Sequence, residues 1–338
     1  MTCTITFLPV GNADSIVIQT DDSMIVVDLG NLFVLEKWIE QHQIAKIDRI
    51  YITHDHQDHC PKLTKLINFI NDCKSSIKIE KVHFPYLYIY TAQQKVISAQ
   101  DQSKVAPLRL ALKRIREWKL NHSSIVANGE IYSEKKLKIE ALHPEQTYVE
   151  THLAVKNGRN LNEISVVLRV IYDEFSAILL ADIEGDGLTE LLQLKTDFAA
   201  NVVKIPHHGG WPANGKELEI LLELIDPEIT ILSVGSKNPH GHVKPELFEA
   251  LINLKNDSSK RLSQFVCTEV TRTCKYSVAE RSQKGNRGLS STEKCAGEIT
   301  IIAEESGKWE CKTEVQHHAS VVANLPYAAC DDRADLNN

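Results

Sequence analysis

The chain has 338 residues, of which 43% are hydrophobic, 25% charged and 6% aromatic, a balance typical of a globular protein that excludes a fully disordered one. The formal net charge of −7 argues against a protein that wraps a long polyanion, because such binding depends on Lys and Arg at the phosphates. No run of about 18 apolar residues is present, and the N-terminus lacks a basic, apolar leader. We therefore expect a cytoplasmic protein without membrane contacts.

The N-terminal part of the chain alternates short strands with a helix. Apolar runs predict strands at residues 5–8, 15–18, 24–28 and 50–52, and the first two form a hairpin around a Gly-Asn turn. An apolar stripe over residues 35–39 has helical spacing. The last of these strands ends directly at a dense polar segment, residues 53–59.

The chain from there to about residue 255 repeats this alternation. Prolines at 61 and 107 each precede an apolar stripe that predicts a helix. Predicted strands cover residues 137–142, 165–170, 177–180, 201–205 and 229–232, and predicted helices cover residues 188–194 and 218–225. Two similar halves, each a sheet with helices outside, predict an α/β (α+β) fold, a four-layer αββα sandwich with its polar loops at one edge.

The densest functional signal is the polar segment that follows the strand at 50–52. His54, His56, Asp58 and His59 supply three imidazoles and one carboxylate within six positions. A single histidine is more often packed or solvated than a ligand, but four such residues at this spacing favour a metal cluster. Zinc accepts imidazole nitrogens and carboxylate oxygens, whereas manganese prefers more oxygen, so the segment fits either metal.

The pattern H-x-H-x-D-H after a strand resembles the metallo-β-lactamase superfamily. That resemblance implies an αββα fold that holds two divalent metal ions, with His54 and His56 on the first ion and Asp58 and His59 on the second. It also implies a later aspartate that bridges both ions. Asp182 matches this position because it ends an apolar strand, although the preceding residue is alanine where the superfamily more often has glycine.

Further segments resemble the hydrolase domain of the ComEC/Rec2 competence proteins and of their soluble stand-alone relatives. They occur in that group's order and, with the histidine motif, span about three quarters of the chain. These segments are Val10–Ser15, Asn162–Leu168, Ile205–Gly209 and Ser233–His242. Ala13 replaces the usual second glycine of the first segment. The membrane helices of the competence proteins have no counterpart here, so the resemblance implies hydrolysis but not DNA uptake.

The same resemblance assigns roles to residues in the later segments. It implies that His242 completes the second metal site. It implies that His208 faces the scissile group of the substrate as a donor or charge stabiliser, with His207 as a less defined neighbour. Two ions that share a water would generate hydroxide, and Asp58 would orient it. These residues, Asp58, His207 and His208, are the predicted catalytic set.

The third ligand of the first metal ion is open. Superfamily members usually place a histidine before the bridging aspartate, and the corresponding region here carries Asn162. His143, at the end of a predicted strand, and His152 are alternatives that the sequence does not separate.

These observations predict a metal-dependent hydrolase with two zinc or manganese ions. A phosphodiesterase that acts as a nuclease or a nucleotide hydrolase is favoured, since relatives bearing the H-H-G segment mostly act on phosphodiesters. The expected partner is thus a phosphodiester, either nucleic acid or nucleotide. The alternatives are a hydrolase of a small carbonyl substrate (a lactone, thioester or β-lactam) and a binding protein that keeps the fold without turnover.

The tail of the chain differs in composition from the rest. We expect residues 1–262 to form the hydrolase domain and residues 263–338 to form an extension packed on it. Residues 299–302 and 309–312 alternate well enough to predict a terminal hairpin. Four cysteines of this tail suit either a structural four-thiolate zinc site or buried free thiols: Cys267, Cys274, Cys295 and Cys330.

Overall fold

The structure is a computed structural model of the chain. It describes residues 1–60, 77–85, 121–127, 129–156, 160–194, 196–285, 288–315, 318–328 and 330, with isolated positions 65, 69 and 117. The helices predicted after Pro61 and Pro107 lie outside these ranges.

The strands of the described residues form two sheets. In chain order they are β1 Thr2–Phe7, β2 Ile16–Gln19, β3 Met24–Val27, β4 Lys46–Tyr51, β5 Lys78–Pro85, β6 Asn121–Ile125, β7 Gly129–Glu134, β8 Leu137–His143, β9 Val167–Tyr172, β10 Phe175–Leu179, β11 Val202–Lys204, β12 Ile229–Leu232, β13 Gln264–Cys267, β14 Ile299–Glu304 and β15 Trp309–Thr313. The first sheet has the order β15-β14-β1-β2-β3-β4-β5-β6, and the second has the order β13-β12-β11-β10-β9-β8-β7.

Helices connect and flank these strands. They are α1 Leu32–Gln41, α2 Gln146–Lys156, α3 Asp186–Gln193, α4 Gly215–Ile225, α5 Pro245–Asn256, α6 Arg272–Lys275, α7 Val278–Lys284 and α8 His318–Ala323. Two short 3-10 turns lie at Leu161–Ile164 and Pro206–Gly209. The sequence stripes at 35–39, 188–194 and 218–225 correspond to α1, α3 and α4.

Each sheet is antiparallel in one half and parallel in the other. In the first sheet β3 pairs in parallel with β4 and β4 with β5. In the second sheet β10, β11, β12 and β13 pair in parallel. Because the carboxyl ends of parallel strands meet at one edge of a sheet, the loops that follow β4, β10, β11 and β12 gather at a common edge.

Three apolar clusters define the layers. The inner faces of the two sheets pack on each other through residues such as Ile5, Val27, Leu168 and Ile231. The outer face of the first sheet packs against α1, and the outer face of the second packs against α3, α4 and α5. Helix, sheet, sheet and helix thus form four layers, which confirms the predicted αββα sandwich.

The tail contributes strands to both sheets. β13 adds to the edge of the second sheet through β12. The predicted terminal hairpin is β14–β15, and β14 pairs with β1 along the register from Thr2↔Glu304 to Phe7↔Ile299. Chain segments beyond residue 262 are therefore part of both sheets, and a boundary at that residue stays a prediction. Among the described residues, no helix is long and apolar enough to cross a bilayer.

Candidate metal centre

The predicted metal ligands follow the carboxyl ends of parallel strands from both sheets. The histidine motif follows β4, Asp182 follows β10, His207 and His208 follow β11, and the loop to His242 follows β12. The sandwich thus brings residues that are up to 188 positions apart in the sequence to one edge.

Four buried side chains form the closest group of ligand atoms. Asp14, His59, Asp182 and His208 each offer one atom, and these atoms lie within 4.8 Å of one another. Nε2 of His59 is 3.1 Å from Oδ1 of Asp182. Such a mixture of imidazole nitrogen and carboxylate oxygen is the donor set that zinc and manganese accept.

A buried carboxylate fixes the orientation of His59. Nδ1 of His59 donates a hydrogen bond to Oδ2 of Asp28 at 2.6 Å. Asp28 also accepts bonds from the backbone N–H and the hydroxyl of Thr53, at 2.8 and 2.7 Å. With Nδ1 engaged in this way, Nε2 of His59 is directed to the metal side of the ring, as in known histidine ligands.

His208 is oriented by the same principle from the second sheet. Its Nδ1 donates to the carbonyl oxygen of Ser233 at 3.0 Å. Its Nε2 lies 3.3 Å from Nε2 of His59, 3.5 Å from Oδ2 of Asp58 and 3.6 Å from Oδ1 of Asp182. Three potential ligands of one ion therefore surround this nitrogen.

His54 lies near the second carboxylate oxygen of Asp182, and His56 lies beside His54. Nε2 of His54 is 3.8 Å from Oδ2 of Asp182, and the rings of His54 and His56 are 4.8 Å apart. Burial lowers the pKa of His54 well below its usual range and also lowers the pKa of His56. Both rings are therefore neutral near pH 7, which is the form that binds a metal.

Charge around His59 differs from that around His54. Burial by itself would lower the pKa of His59, but the carboxylates of Asp182 and Asp28 outweigh it and raise this pKa well above its usual range. Burial would likewise raise the pKa of Asp182, yet His59 and His208 hold it well below. The centre therefore favours a cation at His59.

Unpaired polar atoms test whether these residues fit metal ions. Nε2 of His54, Oδ1 of Asp182 and Oδ1 of Asn162 are buried and have no hydrogen-bond partner of good geometry. Buried polar groups without partners are costly, so several at one point indicate a missing ligand. The donor set and these atoms together fit divalent metal ions.

The three candidates for the third ligand of the first site have different positions. Nδ1 of His143 donates to the carbonyl oxygen of Ser165 at 2.7 Å, and its buried Nε2 lies 3.1 Å from Glu190 without a hydrogen bond. His152 contacts Glu163 at 3.3 Å. Asn162 lines the cleft together with His56 and Asp182.

His207 and His242 lie at the rim, with ring centroids 5.1 Å apart. Nδ1 of His207 donates to Oε2 of Glu184 at 2.9 Å. Burial would lower the pKa of His207, but this bond to Glu184 outweighs it and raises the pKa. Burial and the neighbouring His207 lower the pKa of His242 to about 3. The rim thus pairs a readily protonated imidazole with a neutral one.

The strand ends that carry these residues have unusual backbone conformations. Asp28, Ala181, His207 and His208 have φ values of 61°, 46°, 51° and 50°. This left-handed region disfavours residues that carry a Cβ atom, so these four positions are strained. Such strain is often found at functional sites.

Asp28 and Lys204 were not recognised as part of the centre from the sequence, and Asp14 was noted only within a matched segment. Lys204 is fully buried, and its ammonium group pairs with Asp14 and donates to the carbonyl oxygen of Ala181 at 3.0 Å. Asp28 carried a usable signal, because it ends an apolar strand just as Asp182 does. A lysine within an apolar strand carried none.

An open cleft of about 360 Å³ leads to the centre. Its lining is polar throughout the described residues: Asn12, His56, Gln57, Asp58, Asn162, Asp182, His207, His208, His240 and His242. The four tail cysteines are not part of this lining. They lie in and beside the apolar cluster on the outer face of the second sheet.

Comparison with known proteins gives one similar sequence and many similar folds. No protein-family model matches the chain. ComE operon protein 3 of Bacillus subtilis is 24% identical over 219 residues, which cover 64% of this chain and 24% of that protein. This chain thus matches only about a quarter of the length of that relative.

Solved structures similar to this chain include metallo-β-lactamase fold hydrolases. The metallo-β-lactamase fold protein YhfI of Bacillus subtilis is 12% identical with a TM-score of 0.43, and the match covers 73% of this chain and 93% of YhfI. The metallo hydrolase Igni18 of Ignicoccus hospitalis is 12% identical with a TM-score of 0.43, covering 78% and 94%. Human tRNase Z, short form, is 10% identical with a TM-score of 0.40, covering 69% and 92%.

Proposed function

We propose that this chain is a metal-dependent phosphodiesterase that acts as a nuclease or a nucleotide hydrolase. The observation that carries this proposal is the approach of His59, Asp182 and His208 from both sheets, with buried unpaired atoms turned towards a polar cleft. The 24% identity with ComE operon protein 3 agrees with the resemblance from which this proposal starts.

Two divalent ions, zinc or manganese, fit the centre. His54, His56 and Asp182 would hold the first, with Asn162 as a further ligand. Asp58, His59 and Asp182 would hold the second. We add His208 to the second ion because its Nε2 is 3.3 Å from Nε2 of His59, a separation suited to two ligands of one ion. In this assignment His242 stays at the rim rather than completing the site.

Divalent ions held there would lower the pKa of a bound water and so supply hydroxide near neutral pH. Asp58 is suited to orient that water. Burial would raise the pKa of Asp58, but the hydrogen bond with His208 and the charge of His59 hold it below its usual value, so the group stays a carboxylate acceptor. About a third of its side chain is exposed to the cleft.

His207 is suited to bind an anionic substrate. Its Nδ1–H is engaged by Glu184, so Nε2 at the rim carries a hydrogen that it can donate when the ring is protonated. A protonated imidazole here would stabilise negative charge on a non-bridging phosphate oxygen. The side chains that line the cleft among the described residues are all polar, which agrees with a charged substrate.

A paired assay tests this function. Chain stripped of metal and reloaded with manganese or zinc is offered a chromogenic phosphodiester and, separately, a lactone with a chromogenic readout. We expect turnover of the phosphodiester, and its loss in Asp182→Ala. Lactone opening without phosphodiester turnover would replace the proposal with the carbonyl alternative. Bound metal without turnover of either would indicate a binding protein.

A further inference from the structure

Glu184 lies beside the candidate metal centre, two residues after Asp182 and in the loop between β10 and α3. Among the described residues it is not in the lining of the cleft. Its two carboxylate oxygens nevertheless accept hydrogen bonds from two residues that do line it. Oε1 accepts from Nδ2 of Asn162 at 3.0 Å, and Oε2 accepts from Nδ1 of His207 at 2.9 Å. Glu184 therefore reaches the centre through these two neighbours.

Two glycines let this loop approach the 3-10 turn that carries Asn162. A Cβ atom on Gly185, whose φ is 56°, would lie 2.6 Å from Oε1 of Glu163, and one on Gly187 would lie 2.2 Å from the carbonyl oxygen of Glu163. Glycine at both positions thus allows the loop and the turn to stay in contact. From the other side, Nδ2 of Asn214 donates to the carbonyl oxygen of Gly185 at 2.7 Å and holds the loop in place.

The carboxylate of Glu184 determines which way the amide of Asn162 faces. An ionised carboxylate only accepts hydrogen bonds, so the amide nitrogen points to Glu184 and the amide oxygen points away from it. This oxygen is buried and has no hydrogen-bond partner among the described residues, and Asn162 lines the cleft with His56 and Asp182. Amide carbonyl oxygens suit manganese as ligands, whereas the amide NH₂ group is only a donor. The hydrogen bond therefore leaves the ligand atom free to face the cleft.

His207 holds the carboxylate in this position. Its Nδ1–H engages the second oxygen of Glu184, so the carboxylate cannot rotate without breaking a hydrogen bond. His207 follows β11 and Asn162 precedes β9, so Glu184 joins two segments that reach the centre separately. The arrangement resembles that of Asp28 and His59, in which a carboxylate behind a ligand fixes the orientation of the ligand.

We propose that Glu184 is a positioning residue that directs Oδ1 of Asn162 to the first metal ion. The inference rests on the proposed function only in its assignment of Asn162 to that ion, and it does not depend on which substrate the centre hydrolyses. In this role Glu184 touches neither the ion nor the substrate. Loss of such an outer partner typically lowers metal affinity by about 10–100-fold. Since Asn162 is one ligand of several, we expect the lower end of that range, about tenfold.

A double-mutant cycle on metal affinity tests this role without an activity assay. Binding of Mn²⁺ to the metal-free chain is followed by the electron paramagnetic resonance signal of unbound Mn²⁺. Glu184→Leu removes both acceptor oxygens and should weaken binding of the first ion about tenfold. Asn162→Ala should give a similar loss, and adding Glu184→Leu to it should cause no further loss, because Glu184 acts through that amide. Additive losses would overturn the proposal.

Two further variants separate orientation from charge. Glu184→Gln keeps an oxygen that can accept from Nδ2 of Asn162, so it should retain most of the wild-type affinity for Mn²⁺. Glu184→Asp keeps the charge but is one methylene shorter, so it should lose the contact and bind the first ion more weakly. It also replaces Glu184→Leu in the cycle if that variant does not fold. Full affinity in Glu184→Asp, or a loss in Glu184→Gln as large as in Asn162→Ala, would overturn the proposal.

The matched control is Glu190→Gln, a change at a carboxylate of α3 whose Oε2 is 3.1 Å from Nε2 of His143. Its affinity for Mn²⁺ should equal that of the wild type. A loss there, with none in Glu184→Leu, would point to His143 as the ligand and overturn the proposal. Lactone opening in place of phosphodiester turnover would instead overturn the proposed function and leave this inference standing.

Discussion

Nδ1 of His59, in the loop after β4, donates a hydrogen bond of 2.6 Å to Oδ2 of Asp28, which directly follows β3. This bond fixes the orientation of the His59 ring and selects the tautomer whose Nε2 can bind a metal. Asp28 itself lies behind His59, on the side away from Asp182 and His208, so it acts by positioning.

The change Asp28→Asn should weaken metal binding. The amide is a poorer acceptor for Nδ1–H, so the His59 ring should be less firmly oriented and less basic. We expect metal affinity to fall by about 10–100-fold. Competition with a chelating dye measures this. The control is Asp48→Asn, a buried carboxylate that accepts from the backbone N–H of Met24 at 2.8 Å, away from the centre. Equal affinities in both variants would contradict the role of Asp28.

Variants of Asn162 and His143 should show which of the two residues is the third ligand of the first ion. Asn162→Ala should reduce occupancy of that ion, with affinity on the order of tenfold lower, while the fold is retained. His143→Ala should leave metal content unchanged and lower the free energy of unfolding by about 1–3 kcal/mol, because the carbonyl of Ser165 loses its buried donor. Metal content and denaturant unfolding are measured for both variants. A loss of metal in His143→Ala, with unchanged metal content in Asn162→Ala, would show that His143 is the ligand.

The buried pair of Lys204 and Asp14 should be strongly coupled. Lys204→Met leaves the carboxylate of Asp14 buried without its cation, which should lower the free energy of unfolding by about 3–5 kcal/mol. The double variant Lys204→Met/Asp14→Asn should recover most of that loss, since no unpaired charge remains. Denaturant unfolding in chelator measures the fold alone. Additive losses in the double variant would show that the two residues do not depend on each other.

His83 should make stability depend on acidity. Burial lowers its pKa from 6.5 to about 3, with Lys81 and Arg49 nearby adding to the effect, while Nδ1 bonds the hydroxyl of Ser123 at 2.9 Å. Below pH 6.5, His83 binds a proton in the unfolded chain but stays neutral in the folded chain. From about pH 7.5 to about pH 5, this group should therefore reduce the free energy of unfolding by about 2 kcal/mol.

The matching variant for this prediction is His83→Gln, which cannot titrate. Urea unfolding at the two pH values should show a smaller acid loss in the variant than in the wild type, by about the same 2 kcal/mol. An identical pH dependence in both proteins would mean that His83 titrates alike in the folded and unfolded chain.

Much of the fold followed from local patterns in the sequence. The runs at 177–180 and 229–232 became β10 and β12, and the stripe at 218–225 became α4, because apolar periodicity records which face is buried. β5, β6 and β7 were not predicted. β7 is largely exposed, and β6 reads Asn-His-Ser-Ser before its one buried residue, Ile125, so neither strand carries a clear apolar signal.

The centre was predictable only in part, for a related reason. The motif at 54–59 is compact, and Asp182 ends an apolar strand, so both carried local signals. The approach of His208 to His59 within 3.3 Å depends on how the two sheets face each other, which no local pattern encodes. The resemblance implies a donor role for His208, whereas the ligand role that we propose rests on these distances.

Metal reconstitution with an activity readout tests the central proposal most directly. Chain whose centre has been emptied by chelation is titrated with manganese, and phosphodiester turnover is followed against ions bound per chain. We predict no turnover at the start and a rise that ends at about two ions per chain, with none in Asp182→Ala. Turnover that is already full before any ion is added, or that stays absent at two bound ions, would contradict a two-metal phosphodiesterase.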